Sequence, residues 1–173
     1  YFKGLLLNED YIVLPWWRLY NYQDIIFRTF PEAERLFIRP EIGNKILTGT
    51  TLNKKWWNKE HKIKKKLPSS NIKFSDLIII SSHKEITNEY RLLMHKNNLI
   101  DYTLYEGYRQ KNEETIIKKI VKNNKYFPDE LYTIDATIIN NDYKIIELNS
   151  GVCAGWYDMN MNKIVNYLSR FVL

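Results

Sequence analysis

Two strand-like segments near the end of the chain, separated by a short turn, constrain its fold more than any other feature. The segments are Leu131–Ile139 and Tyr143–Asn149, and Asn140, Asn141 and Asp142 lie between them. β-branched and aromatic residues favour strands, and asparagine and aspartate are typical of turns. The pattern therefore predicts an antiparallel β-hairpin.

The predicted hairpin carries three oxygen-bearing side chains, Asp135, Glu147 and Asn149. Glu147 and Asn149 are two positions apart in a strand, so they share a face of the sheet. A three-residue loop would place Asp135 opposite Glu147, whereas a two-residue loop would send it to the other face unless a bulge intervened. Converging carboxylates need a cation, and oxygen-only ligands suit Mg²⁺ held jointly with phosphates. We favour this metal site over an exposed polar face, because the alternate residues are apolar.

The remaining segments predict an α+β fold with mainly antiparallel strands. Further strands are predicted at Gly4–Leu7, Tyr11–Leu14, Arg35–Arg39, Asp76–Ser81, Glu89–His95 and Leu99–Glu106. Helices are predicted over Asn21–Phe30, from a Thr51 cap to about Lys65, and after caps at Asn112 and Asp158. Hairpins with helices interspersed favour this class over a doubly wound parallel sheet.

Cationic residues accompany two of the predicted strands. Arg39 precedes Pro40 at the end of one strand, and a glycine-containing loop then brings Lys45 nearby. Two cations beside flexible backbone suit an anionic phosphate, although an Arg–Pro strand end also arises by chance. Glu89 and Arg91 share a face of another strand, which indicates either a polar cleft or an edge-strand ion pair.

A loop of small residues, Gly151–Asp158, follows Asn149 directly. Such a loop would bring backbone close to a ligand. The one cysteine, Cys153, has no histidine near it in sequence, and we interpret it as a small buried residue rather than a nucleophile.

The composition excludes a disordered chain and leaves an excess of positive charge to explain. Hydrophobic residues make up 45% of the 173 residues, and no apolar run is long enough to cross a bilayer. The net charge is +6, and Lys54–Lys66 holds seven lysines around a tryptophan pair. This segment suits nucleic-acid binding, but we favour a solvated helix that buries one or both tryptophans. We expect no membrane partner and a cytoplasmic location, or the host cytoplasm for a viral protein.

Taken in order, these motifs resemble the ATP-grasp superfamily, and most of all the clade named for its two arginines and one lysine, which is found widely in bacteria and phages. The resemblance runs through FIRPEIGNKILTG (Phe37–Gly49), EYRLLM (Glu89–Met94), the strand ending in Tyr105, and YTID with YKIIELNSGVCAGWYD (Tyr132–Asp158). It implies two α+β subdomains with mainly antiparallel sheets gripping a nucleotide. It also implies a Mg²⁺-dependent ligase that activates a carboxylate with ATP as an acyl phosphate and joins it to an amine.

The resemblance further assigns roles to single residues. Arg39 and Lys45 would contact the ATP phosphates, and Arg91 would contact the phosphates or the acyl phosphate. Lys45 and Arg91 are thus the implied catalytic residues, while Ile80 and Ser81 would lie in the adenine pocket.

The implied metal ligands are the three oxygen-bearing residues of the hairpin, Asp135, Glu147 and Asn149. The chain begins with Tyr1 rather than Met, so we expect residues 1–34 to be the remnant of a preceding N-terminal subdomain and residues 35–173 to form the ATP-grasp core.

Three functions follow as hypotheses. The first is the ligase, with ATP and small-molecule or peptide carboxylates and amines as its partners. The second is a basic module that binds nucleic acid through Lys54–Lys66. The third is an ATP-grasp protein that binds nucleotide without ligating anything.

Overall fold

The computed structural model describes residues 4–41, 49–57 and 72–171. The chain divides into two compact units. The N-terminal unit comprises Asn8–Lys84, and the C-terminal unit comprises Tyr1–Leu7 together with Glu85–Leu173. Each unit contains a four-stranded antiparallel sheet with helices, which confirms the α+β class predicted from the sequence.

The N-terminal unit alternates short strands and helices. Its elements are β1 (Tyr11–Pro15), α1 (Arg18–Asn21), α2 (Gln23–Thr29), β2 (Arg35–Pro40), β3 (Thr50–Asn53), a 3₁₀ turn (Lys54–Trp56) and β4 (Leu77–Ser82). The strands lie in the order β1-β4-β2-β3, and each neighbouring pair is antiparallel. The helix predicted over Asn21–Phe30 is present as α2, with α1 as a separate turn before it.

One face of this sheet forms the core of the N-terminal unit. Leu36 and Ile38 of β2 and Ile80 of β4 are fully buried there, together with Leu19 and Ile26 from the helices. Because side chains alternate along a strand, the neighbours of these strand residues point to the opposite face. Arg39, the predicted phosphate ligand on β2, is one of them.

The helix predicted from Thr51 is wrong at its start. Thr50–Asn53 is a strand that pairs with β2, so that Leu52 lies opposite Leu36 and is buried in the core. The side chain of Asn53, rather than that of Thr51, accepts a hydrogen bond from the Lys55 backbone N–H at 2.8 Å. Burial of Leu52 against a neighbouring strand outweighs the capping preference of threonine. Residues 58–71, which hold the rest of the predicted helix, lie outside the described residues.

The C-terminal unit contains the predicted hairpin. Its elements are β5 (Asn88–His95), β6 (Asn98–Gly107), α3 (Glu113–Asn123), β7 (Leu131–Ile139), β8 (Asp142–Ser150) and α4 (Met161–Leu168). The sheet order is β6-β5-β7-β8, with every neighbouring pair antiparallel. All four strands were therefore predicted to within one residue at each end.

Both faces of this sheet are covered, as the alternation predicted, but by different chemistry. On one face Leu92 of β5 and Ile134 of β7 pack against Ile116 and Ile120 of α3. On the other face Leu93 packs with Ile164 of α4 near one end of the strands, while polar side chains occupy the rest. The polar part is where the predicted site residues lie.

Two predictions at the edges of this unit need correction. Gly4–Leu7 is no full strand: Leu6 forms a single parallel bridge to Ile145 on β8. Helix α4 is capped by Asn160 rather than Asp158, since the Asn160 side chain accepts a hydrogen bond from the Lys163 N–H at 3.1 Å. Asparagine and aspartate cap helices about equally well, so composition alone could not choose between them.

Gly107 closes β6 in a way that no other residue can. Its φ is +85°, and an added Cβ would lie 2.0 Å from the carbonyl oxygen of Thr87. We expect Gly107→Ala to lower the free energy of unfolding by about 3 kcal/mol, because the left-handed backbone and the backbone clash both oppose it. Urea denaturation measures the loss. Gly155→Ala is the matched control, since its Cβ would meet only Tyr157, at 3.9 Å; an equal loss there would contradict the prediction.

No helix among residues 4–41, 49–57 and 72–171 is long and apolar enough to cross a membrane.

Candidate functional site

The turn between β7 and β8 sets the register of the site. Ile139 pairs with Asp142, so the loop has two residues, Asn140 and Asn141. Their φ values of 51° and 60° are those of a type I′ turn, which asparagine tolerates and which matches the twist of the strands. The two-residue alternative considered from the sequence is therefore the one that occurs.

A bulge then restores the pairing that a two-residue loop alone would prevent. The register shifts between Asp135 and Ala136, so that Ala136 pairs with Ile145 but Asp135 pairs with Glu147. Ile146 is the extra residue on β8. The bulge thus brings the two carboxylates onto one face of the sheet, directly opposite each other.

Asn149 extends this pair of carboxylates along β8. Its Nδ2 donates to Oε1 of Glu147 at 2.9 Å, which leaves its Oδ1 directed elsewhere as an acceptor. Opposite Asn149 lies Thr133, a fully buried residue whose Oγ1 has no hydrogen-bond partner among the described residues. The structure therefore brings together all three predicted metal ligands, and adds a buried hydroxyl that sequence reasoning missed.

Burial shapes the electrostatics of Asp135, whose surface is only 1% exposed. Burial raises the pKa of the Asp135 carboxyl above its usual value, and the neighbouring Glu147 adds to the rise, while Arg91 opposes it. Two facing carboxylates in a desolvated setting create a demand for positive charge.

Arg91 supplies part of that charge from the adjacent strand. It pairs with Asp135 across the β5–β7 ladder, where its Nε donates to Oδ1 at 2.7 Å and its Nη2 to Oδ2 at 2.5 Å. These hydrogen bonds raise the pKa of the Arg91 guanidinium further above its usual value. A bidentate pair of this kind is geometrically specific. The sequence left two interpretations of this strand, a polar cleft or an ion pair on an edge strand. Because β5 lies between β6 and β7 and the Arg91–Asp135 pair is buried, the interpretation as an edge strand is wrong.

Arg91 also binds the loop that follows β8. Its Nη1 donates to the carbonyl oxygen of Gly155 at 3.0 Å. The guanidinium carbon lies 5.3 Å and 4.9 Å from the ring centroids of Tyr105 and Tyr157, which stack on each other. Tyr105 in turn donates to Glu89, the residue that shares a strand face with Arg91. The sequence analysis includes Tyr157 only as one member of the loop Gly151–Asp158, because its contact with Arg91 depends on the loop conformation.

The small-residue loop approaches the site through backbone, as predicted, by way of Gly155. Cys153, however, is exposed rather than buried. It lies in the turn after β8, and the close packing against Leu131 in this turn is made by Gly151.

The predicted nucleotide ligands of the N-terminal unit are placed by their strands. Arg39 lies near the end of β2, opposite Ile79 of β4, on the face away from the core. Lys45 lies outside the described residues. Ile80 is fully buried in the core, so it can serve a nucleotide only through its backbone. Ser81 points to the other face, and its buried Oγ has no hydrogen-bond partner among the described residues.

The first residues of the lysine-rich segment pack within the N-terminal unit. Nζ of Lys54 donates to the carbonyl oxygen of Phe30 and lies 5.3 Å from the ring centroid of Phe27. Burial lowers the pKa of Lys54. Trp57 is buried with an edge-to-face contact to Phe27. One tryptophan of the pair thus lies in the core, as the favoured interpretation required, while residues 58–66 lie outside the described part.

Metal-ligand clusters built only from histidine, cysteine, aspartate and glutamate do not occur in the described ranges. The predicted site has a different donor set, two carboxylates and the amide oxygen of Asn149. Such a hard, oxygen-only set suits Mg²⁺ rather than zinc.

Comparison with known proteins identifies a family whose model matches this chain. The family model that matches, over residues 19–167, describes an ATP-grasp domain: family 2 of the clade named for two arginines and one lysine. No curated protein matches the chain.

Several solved structures share the fold. They include D-alanine–D-alanine ligase from Bacillus anthracis complexed with ATP (13% identity, TM-score 0.57, 86% of this chain and 49% of that one). They also include the ATP-grasp ligase PsnB complexed with a precursor variant, Mg and ADP (15%, 0.54, 90% and 46%), and C-terminally truncated Cdc123 from Schizosaccharomyces pombe (14%, 0.57, 93% and 88%). The chain thus spans about half the length of the two ligases. At such identities the likeness establishes the fold.

Proposed function

Because the chain belongs to the ATP-grasp domain family, in family 2 of the clade named for two arginines and one lysine, we propose that it is a Mg²⁺- and ATP-dependent ligase that joins a carboxylate to an amine. The observation that carries the proposal is the bulged β7–β8 hairpin, which brings Asp135, Glu147 and Asn149 onto one sheet face beside Arg91. A sheet face with no ligand would gain nothing from two opposed carboxylates.

The residues of the site fit Mg²⁺. Arg91 engages one position on each oxygen of Asp135, and a carboxylate oxygen has further lone pairs to offer. Glu147 and the Oδ1 of Asn149 supply the remaining protein ligands. The Thr133 hydroxyl, which lies opposite Asn149 and has no hydrogen-bond partner within residues 4–41, 49–57 and 72–171, would be satisfied by a bound water or ligand oxygen.

Three sets of positive charge would act on the phosphates. Asp135, Glu147 and Asn149 would hold Mg²⁺, which neutralises charge on the ATP phosphates when it is bound. Arg39 and Lys45 would bind the phosphates. Arg91 would bind the transferred phosphoryl group, because its hydrogen bonds to Asp135 and Gly155 leave other N–H groups of the guanidinium available.

The chemistry needs no protein nucleophile. A substrate carboxylate oxygen attacks the γ-phosphorus, the bond to the β–γ bridging oxygen breaks, and ADP leaves. The amine then attacks the carbonyl carbon of the acyl phosphate, phosphate departs with the bonding electron pair, and the amine releases a proton. Positioned cations stabilise the charge that develops at both steps.

A second candidate is nucleotide binding without ligation. Its support is length alone: the chain spans 88% of C-terminally truncated Cdc123, against 49% of D-alanine–D-alanine ligase. Lys54 and Trp57 pack within the N-terminal unit instead of facing solvent together, but residues 58–66 lie outside the described residues, so the nucleic-acid hypothesis stays a prediction.

Thermal unfolding with nucleotide tests the proposal. We expect ATP with MgCl₂, at about 100 times its dissociation constant, to add about 2.7 kcal/mol to the free energy of unfolding and so to raise the midpoint measurably. ATP with EDTA is the control and should give a much smaller shift. A midpoint that is indifferent to Mg²⁺ would overturn the proposal, and salt-sensitive binding of DNA or RNA in its place would favour the basic module.

Release of ADP separates the two ATP-grasp hypotheses. The intact chain is offered MgATP with a panel of amino acids and small carboxylates, and ADP is followed by a coupled assay. The ligase proposal expects release that requires both a carboxylate and an amine. MgATP binding with no release for any pair would support the nucleotide-binding candidate.

A further inference from the structure

Tyr157 has an unusual backbone for a tyrosine. Its φ is 45°, in the left-handed region that bulky L-residues rarely adopt. Such a conformation persists only where surrounding contacts hold it, and it clusters at functional sites. The side chain is 57% exposed, so burial of apolar surface does not account for it.

The Tyr157 ring contacts two residues of the site, Tyr105 and Arg91. The ring stacks on Tyr105 with centroids 4.8 Å apart and an interplanar angle of 6°. It also lies 4.9 Å from the guanidinium carbon of Arg91. Two residues earlier the Gly155 carbonyl accepts a hydrogen bond from the same guanidinium. The loop after β8 therefore contacts Arg91 through both backbone and side chain.

The other partners of Arg91 are themselves fixed. Tyr105 is held by its hydrogen bond to Glu89, and Asp135 is buried on a central strand. The guanidinium is thus bounded by a carboxylate, a carbonyl and two rings. Of these, Tyr157 is the one that is half in solvent and held in a costly backbone conformation.

We propose that Tyr157 is a positioning residue, whose ring pairs with Tyr105 to hold the Arg91 guanidinium in a single orientation. The inference rests on the proposed function in one respect, that Arg91 then presents its remaining N–H groups to a phosphate. A tyrosine that only packs the loop would affect stability while leaving the mobility of Arg91 unchanged.

The direct test is the exchange of the Arg91 Nε–H proton with water, measured by NMR on ¹⁵N-labelled protein without ligand. The signal is assigned by its absence in Arg91→Lys. We expect slow exchange in the wild type and in Tyr157→Phe, and exchange at least about tenfold faster in Tyr157→Leu, because local opening is no longer suppressed. Tyr108→Leu, which removes a tyrosine that is 81% exposed, is the control and should match the wild type.

Tyr157→Gly separates the ring from the backbone. Glycine adopts a positive φ without cost, so this variant relieves the strain and still lacks the ring. Faster exchange in both Tyr157→Gly and Tyr157→Leu supports the inference. Wild-type exchange in either folded variant overturns it.

A double-mutant cycle on MgATP affinity connects the inference to the site. If Tyr157 acts through Arg91, Tyr157→Leu weakens binding by about tenfold in the wild type, and by less than about twofold in an Arg91→Lys background. Equal losses in the two backgrounds would contradict the inference. A wild type that fails to bind MgATP would instead remove the proposed function, and the proton-exchange result would still decide whether Tyr157 positions Arg91.

Discussion

Glu147→Gln is expected to abolish the stabilisation that MgATP gives while leaving the protein without nucleotide at least as stable as the wild type. Glu147 faces the buried Asp135, so removal of its charge relieves repulsion in the empty site. The same change removes an anionic oxygen ligand. A residue that costs stability in the absence of ligand and gives it in its presence is a functional residue.

The measurement is the shift of the thermal midpoint with MgATP. In the wild type, saturating MgATP is expected to add roughly 2.7 kcal/mol to the free energy of unfolding. In Glu147→Gln we expect this gain to fall below about 0.5 kcal/mol, with a correspondingly smaller shift of the midpoint. Glu130→Gln is the matched control, because the Glu130 side chain is 73% exposed and forms a surface pair with Lys96. A variant that binds MgATP as the wild type does would exclude Glu147 from the metal site.

Arg91→Met is expected to destabilise the ligand-free protein strongly. It would leave Asp135, 1% exposed, without the two charge-assisted hydrogen bonds that compensate its burial. Breaking a buried pair from one side typically costs about 3–5 kcal/mol. Urea denaturation of the ligand-free protein measures the loss directly.

Two further variants show whether the pair itself is responsible. Arg91→Met with Asp135→Leu removes both charges and should recover much of the stability, because neither partner then remains buried alone. Lys96→Met is the exposed counterpart, since Lys96 pairs with Glu130 at the surface, where the two side chains are 49% and 73% exposed, and such pairs are worth less than about 1 kcal/mol. Equal losses in Arg91→Met and Lys96→Met would contradict the prediction.

The strand pattern of the C-terminal unit could be predicted because alternation there is nearly complete. From the sequence, the bulge that aligns Asp135 with Glu147 could be named only as a requirement: with a two-residue loop, the two carboxylates share a face only if a bulge intervenes. The bulge shifts the alternation of side chains in β8 by one residue. Tyr143 and Ile145 face α3, and the next residue to face it is Leu148, three positions later instead of two. With isoleucine at both 145 and 146, the sequence does not reveal where the change falls.

The misplaced helix start and helix cap have a common cause. Thr51 and Asp158 both have good capping side chains, but each competes with a tertiary contact that sequence spacing does not encode. Thr51 is drawn into a strand by Leu52, whose burial decides the conformation. Asn160 begins α4 with its own backbone N–H donating to Asp101 on the neighbouring strand.

The partnership of Arg91 with Asp135 was also beyond sequence reasoning. The resemblance assigned one residue to phosphate and the other to metal, and both assignments stay predictions. What the sequence did not reveal is that residues 44 positions apart are cross-strand neighbours that bind each other. Loop conformation was equally hidden, since the φ of Tyr157 follows from contacts that form only in the folded unit.

The bridge between Leu6 and Ile145 has a consequence for the order in which the chain can assemble. Leu7 donates to Ile145 and Ile145 to Leu5, both at 2.8 Å, across almost the whole sequence. During synthesis the N-terminal unit has all of its residues once Lys84 has emerged, whereas residues 5–7 must wait for β8. Contacts of such long range are slow to form. Residues 5–7 can therefore pair only once β8 has emerged, after the N-terminal unit already has all of its residues.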